Sequence, residues 1–192
     1  MELRRWNVKH VRMVLENAPA FTPFPRGAEV AAVRTRVGTD AVAQLLAAAE
    51  ADANAPIPAL PAELYLEFQR NGRREGYEDA QRRRRNMLYR LTLAEWLEGR
   101  GRFTAAIENI AFARLEEINW AWPAHARTLD FPERPTVDLA AAMTGLDLAE
   151  LDYLLGETLS PPLRARLRSE TDRRTIAPFL TRNDHWWLHT TP

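Results

Sequence analysis

Chemistry in this chain concentrates in two short aromatic phrases. The first is Asn119-Trp120-Ala121-Trp122-Pro123-Ala124-His125. Indole faces stack on the apolar C–H faces of sugar rings, and an imidazole can hydrogen-bond hydroxyls or a carboxylate. Trp120, Trp122 and His125 are therefore candidate groove residues; the alternative is two core indoles and a capping His. The second phrase, Asn183-Asp184-His185-Trp186-Trp187-Leu188-His189, repeats the same residue types, with Trp186 as a further candidate for a binding surface. His185 and His189 stand four residues apart, as a helical metal pair would. No third ligand is evident, and Trp186 occupies the place where a metalloprotease carries Glu, so no metal site is assigned.

A third cluster is cationic. Residues 70–90 hold eight Arg against Glu75, Glu78 and Asp79, with Arg82 to Arg85 consecutive. Successive helical residues point about 100° apart, so four in a row cannot form one surface. Pairing of Arg82 with Glu78 and of Arg83 with Asp79 one turn earlier predicts a solvated, partly neutralised face rather than a nucleic-acid site. Nucleophilic catalysis has no support: Cys is absent, and neither a Gly-x-Ser-x-Gly elbow nor a Gly-rich phosphate loop occurs. Carboxylates such as Glu116, Glu117, Asp147 and Asp152 are plentiful, but no local pattern selects a catalytic pair. No cofactor is implied.

The elements that must position these groups read as helices. Ala (30 residues), Leu, Arg and Glu dominate, all strong helix formers. Helices are expected over 5–17, 28–37, 40–54 with Asp40 as N-cap, 61–70, 77–98, and 103–118 with Phe103, Ile107, Ala111, Leu115 and Ile118 on one face. Another begins at Asp138 and aligns Leu139, Ala142, Met143, Leu146, Ala149 and Tyr153 as its apolar stripe, ending near Gly156. Ser160-Pro161 opens a last long helix, with Ser as N-cap, which Pro178 should kink or end. Strand signals are weak throughout. The 192 residues read as a single all-α domain of helical hairpins.

Composition narrows the partners. Twenty-six basic and 26 acidic residues cancel, which argues against a general nucleic-acid or membrane binder. No apolar run is long enough to span a bilayer. Met1 to Trp6 carries no apolar segment behind its Arg pair, so no secretory signal is read and a cytoplasmic location is expected.

In order along the chain, Tyr65-Leu66-Glu67-Phe68, Gly72 to Glu78, Arg85-Asn86-Met87-Leu88, Leu91 to Gly99, Glu116 to Trp120, Trp122-Pro123-Ala124-His125, and Arg173 to Leu180 before Trp186-Trp187 resemble the N-terminal part of the heparinase II/III-like polysaccharide lyases. The resemblance spans most of the chain; its more specific parts are the Trp-x-Pro-x-His phrase and that phrase's distance from Trp186-Trp187. It implies part of an incomplete (α/α) toroid, with an acidic polysaccharide or oligosaccharide as partner and β-elimination on uronic-acid polymers as the family's reaction. In that family the neutralising Asn, the catalytic Tyr and a catalytic His lie beyond the segment corresponding to residue 192. The resemblance therefore implies an N-terminal portion inactive by itself, without the later toroid helices and β-sandwich. Apolar helix faces left uncovered are expected to support homodimer contacts. The alternative is a non-catalytic helical scaffold or protein-interaction domain, with its Trp rings buried and an apolar patch exposed elsewhere.

Overall fold

A computed structural model describes residues 7–19, 22–126, 129–130 and 132–189. Helix α1 covers Val8–Asn17, α2 Val30–Val37, α3 Thr39–Ala53, α4 Ala62–Asn71, α5 Glu75–Glu98, α6 Thr104–Leu115, α7 Leu139–Leu155, α8 Pro161–Thr171 and α9 Ala177–Thr181. The protein is all-helical, with no strand among the described residues.

Helix α5 is the hub, packing against α2, α3, α4, α6 and α7. Its hairpin with α6 is built by one carboxylate. Gly99 adopts a left-handed conformation (φ 67°) that stops α5. Buried Glu95 then accepts the backbone N–H groups of Gly101 at 2.5 Å and Phe103 at 3.0 Å. Those donors at the start of α6 would otherwise have no intrahelical partner. Leu88, Leu91, Phe103, Ile107, Ile110 and Leu115 form the centre of the core, joined by Leu148 and Leu151 of α7 and Leu167 of α8. Ile118, expected on the same face, is 64% exposed because α6 ends at Leu115.

Two local expectations are revised. Gly38 (φ 90°), not Asp40, stands at the N-cap of α3, and Asp40 falls in the first turn. Ser160 occupies the N-cap position of α8 without capping through its side chain; instead its N–H donates to Glu108. Near Pro178, expected to kink or end its helix, the helix is interrupted rather than ended. The chain passes from α8 through a π-helical turn at Asp172–Ile176 into α9. Proline has no N–H and its ring crowds the carbonyl four residues earlier, so a wide turn just before it absorbs the misfit.

The largest revision concerns α7. Its inner face is Ala141, Thr144, Gly145, Asp147, Leu148 and Leu151, all buried. The stripe expected to be core points outward: Leu139 is 68% exposed and Leu146 54%.

Candidate functional site

The inner face of α7 is chosen by charge pairing. Arg114 of α6 and Glu117 are both almost fully buried, with two Arg114 N–H···Oε contacts at 2.9 Å. Arg84 donates to the same carboxylate and to the Pro58 and Ala113 carbonyls. The other nitrogen of Arg114 donates to Thr144 of α7 at 2.6 Å. One turn further along α7, Asp147 accepts a fork of two bonds from Arg85 at 2.6 and 3.0 Å. Burial holds the Asp147 carboxyl above its ordinary range despite that partner. Of the four consecutive Arg, then, Arg84 and Arg85 turn inward onto buried carboxylates. Arg82 is exposed and pairs with Asp79, three residues back rather than the expected four. The run is not one cationic surface.

Trp120 belongs to the core and offers no face to a ligand. It is 2% exposed, its indole N–H donates to the Arg114 carbonyl at 3.0 Å, and the Arg174 guanidinium lies 4.9 Å from its ring. Arg174 also donates to the Leu115 and Glu117 carbonyls, which closes the C-terminal end of α6 over the indole. An apolar ring with a satisfied N–H is more stable there than in an open groove, which corrects its reading as a groove residue.

Trp122 and His125 lie together, rings 5.6 Å apart, at the N-terminal end of α7. Buried Asp138 organises them. One carboxylate oxygen caps α7 by accepting the Ala141 N–H at 2.8 Å. The other accepts the Trp122 backbone N–H at 3.1 Å and lies 2.7 Å from His125 Nδ1. The half-exposed imidazole is thereby fixed at the mouth of a groove.

That groove runs between α7 and the π turn with α9. It encloses about 790 Å³ and has an almost wholly apolar wall. Leu139, Leu146, Ile176, Phe179 and Leu180 line it, all at least 40% exposed. Its floor is tight because Gly145 lets the π turn approach; a Cβ there would lie 3.0 Å from Thr175 Oγ1. At one end Phe179, His185 and Trp187 stack, with His185 and Trp187 rings 5.3 Å apart at 17°. The Trp187 N–H donates to the Val137 carbonyl, tying the C-terminal phrase to the start of α7. Trp186 opens a 3₁₀ turn, and its side chain lies outside the described part of the structure.

Few polar side chains line the groove among the described residues. An Asp-paired His suits general-base work only when a reacting group lies within its reach. The described hydroxyls of the wall belong to Thr171 and Thr175, and that of Thr175 is committed to the Thr171 carbonyl. His185 and His189 do not form the helical pair their spacing allowed. The segment is a 3₁₀ turn, His185 is buried beside the Pro178 carbonyl, and exposed His189 faces the Asn183 carbonyl. Among the described residues no cluster of three or more His, Asp or Glu could hold a metal, and no helix is long and apolar enough to cross a membrane.

Sequence reading missed Leu146, Ile176, Phe179 and Leu180 as surface residues. Their signal was an α7 apolar on all sides followed by an apolar run at 176–180. Neither a known family model nor a curated protein sequence matches this chain.

Proposed function

We propose that this protein is a helical interaction domain whose working surface is the α7–α9 groove, and that its ligand is an amphipathic helix. One observation carries this: five large apolar side chains stand exposed side by side along one groove. Such a patch is at the upper end of what a monomer tolerates without using it. The exposed stripe of α7, Leu139 to Ala149, is about 15 Å long, or roughly ten residues of a docked helix. Helix-in-groove recognition uses apolar anchors three and four residues apart, and an apolar wall with His125 at its mouth suits such a stripe. The burial of Trp120 favours this reading over a sugar-stacking groove.

Anisotropy of a fluorescein-labelled, Leu-rich amphipathic peptide of about 12 residues tests it. The peptide should bind the protein, and Leu146→Asp should abolish binding while leaving the circular dichroism unchanged. Binding unaffected by Leu146→Asp and by Phe179→Asp would sink the assignment.

The heparinase II/III-like reading stands second. It draws on the hairpin architecture, and on Trp122 and His125 standing together beside the groove. In a toroid, further hairpins would cover the α7–α9 face. A uronate lyase would release unsaturated uronate absorbance from alginate or heparan sulfate.

A further inference from the structure

A second cavity shares no lining residue with the α7–α9 groove. It lies between α4, the first half of α5 and the turn after α6, and encloses about 330 Å³. Bonds across the fold hold its walls. The Tyr65 and Tyr77 rings meet edge to face, centroids 4.8 Å apart at 85°. The Tyr77 hydroxyl donates to the Asn119 carbonyl at 3.3 Å, and Arg84 donates to the Pro58 and Ala113 carbonyls. Two polar groups of the wall are left over. The Tyr65 hydroxyl and the Asn119 amide nitrogen are buried, in residues 2% and 1% exposed, and neither has a hydrogen-bond partner among the described residues. They are neighbours, for the Asn119 amide opposes the rise that burial imposes on the Tyr65 pKa. We propose that this cavity binds a small neutral ring carrying a carbonyl oxygen, the chemistry of an aromatic carboxamide, with that oxygen accepting from both groups.

Each part of that description follows from the wall. Asn119 Oδ1 accepts the Asp130 N–H at 3.1 Å, which fixes the amide with its nitrogen as the unused donor. Burial first, then Asp130, raises the Tyr65 pKa, so the hydroxyl keeps its proton and can donate. Two neighbouring donors match one carbonyl oxygen, which has two lone pairs. A buried donor left unmet is costly, and few native structures carry one without a reason. One water would answer both groups, but it fills only about 30 Å³. Most of the cavity would then stay empty beside Leu60, Ala113, Ile118 and Leu129. The volume lies at the lower end of the range for small-molecule sites, and the Tyr65 and Tyr77 rings in the wall suit a flat ligand. Charge selects a neutral one. Arg84 is paired with Glu117 at 3.2 Å and Glu116 with Arg166 at 3.2 Å, so every charged group among the described lining residues already has its partner. An ionic ligand would lose its hydration without gaining a counter-charge.

Benzamide is the probe. Titrated into the full chain and followed by protein-observed NMR, it should bind saturably with a Kd of roughly 1 mM or below. Benzoate, which carries a charge, should bind at least roughly tenfold more weakly. Tyr65→Phe removes only the hydroxyl and should weaken benzamide roughly tenfold. The ligand-free variant should melt no lower than the unsubstituted chain, because no bond of the fold is lost. Ala62→Trp, at an exposed position on the cavity rim, should block the site. Leu146→Asp in the groove should leave benzamide binding unchanged, so the cavity and the peptide groove stand or fall separately. Absence of saturable benzamide binding overturns the proposal, as does equal affinity in the Tyr65→Phe chain or binding that survives Ala62→Trp. Benzoate bound as tightly as benzamide overturns the neutral ligand. A ligand-free Tyr65→Phe chain that melts lower overturns the site, since the hydroxyl would then be satisfied already, by the fold or by one ordered water.

Discussion

The two faces of α7 invert the usual relation between polarity and depth. The inner face carries Thr144 and Asp147, 1% and 4% exposed, while the outer face carries Leu139 and Leu146, more than half exposed. Turning the helix over would bury Leu139 and Leu146 but expose Leu148 and Leu151, so apolar burial roughly cancels between the two orientations. It would also strand Arg85 and remove Thr144 from Arg114. A buried charge that loses its partner costs about 3–5 kcal/mol. Helix orientation here follows the partners of the cations on α5 and α6, and the leftover apolar stripe becomes a surface. A buried ion layer therefore does more than resist unfolding; it decides which face of the neighbouring helix is left exposed.

The strongest way to break this contrast is to remove the layer. Glu117→Ala leaves buried Arg114 without its paired carboxylate and should cost about 3–5 kcal/mol in urea unfolding. A loss below about 1 kcal/mol would mean that packing alone orients α7. Paired truncations sharpen the point. Leu148→Ala, on the inner face, should cost about 2–5 kcal/mol, and Leu146→Ala, two residues away, under about 0.5 kcal/mol. Equal costs would show that the outer stripe is core. Gly145→Ala comes next. Its new Cβ needs Thr175 to give by a few tenths of an ångström, which offsets the roughly 1 kcal/mol that Ala gains over Gly inside a helix, so thermal melting should show no net stabilisation.

The last effect concerns pH. Burial raises the Glu170 carboxyl, but Arg173 and Arg174 outweigh it and hold the group below its ordinary 4.5. A depressed carboxyl contributes stability above its unfolded pKa and loses it as pH falls through its folded pKa. Glu170 also anchors Arg174 over Trp120. Glu170→Gln should therefore cost about 1 kcal/mol at pH 7 and progressively less below pH 4.5. A cost that does not change with acidification would assign Glu170 a packing role alone.

Much of the fold was legible. Helix positions followed from composition and from Gly99 as a stop, with a helix expected to begin at Asp138, which the structure shows to be its N-cap. The face of α6 was readable from Phe103 to Leu115 because that helix has a partly polar side to contrast with it. The face of α7 was not readable, since Leu, Ala and Met surround it and no period distinguishes one stripe from another. Of the first aromatic phrase, His125 lines the groove and Trp122 lies beside it, but Trp120 was indistinguishable from them by residue type. Only the contact with Arg174 and the Arg114 carbonyl places it inside.

By itself the sequence determined the helices, because propensity, caps and glycine stops act over a few residues. It also made a Cys-dependent site impossible and balanced the charges to zero. Tertiary structure decided which side of α7 meets the core, which Arg are spent on carboxylates and which apolar residues are left exposed. Those outcomes depend on Arg85 finding Asp147 across 62 positions and on Arg114 finding Thr144 across 30. Distant charges must be paired before a helix can choose its buried face, and no local pattern encodes that pairing.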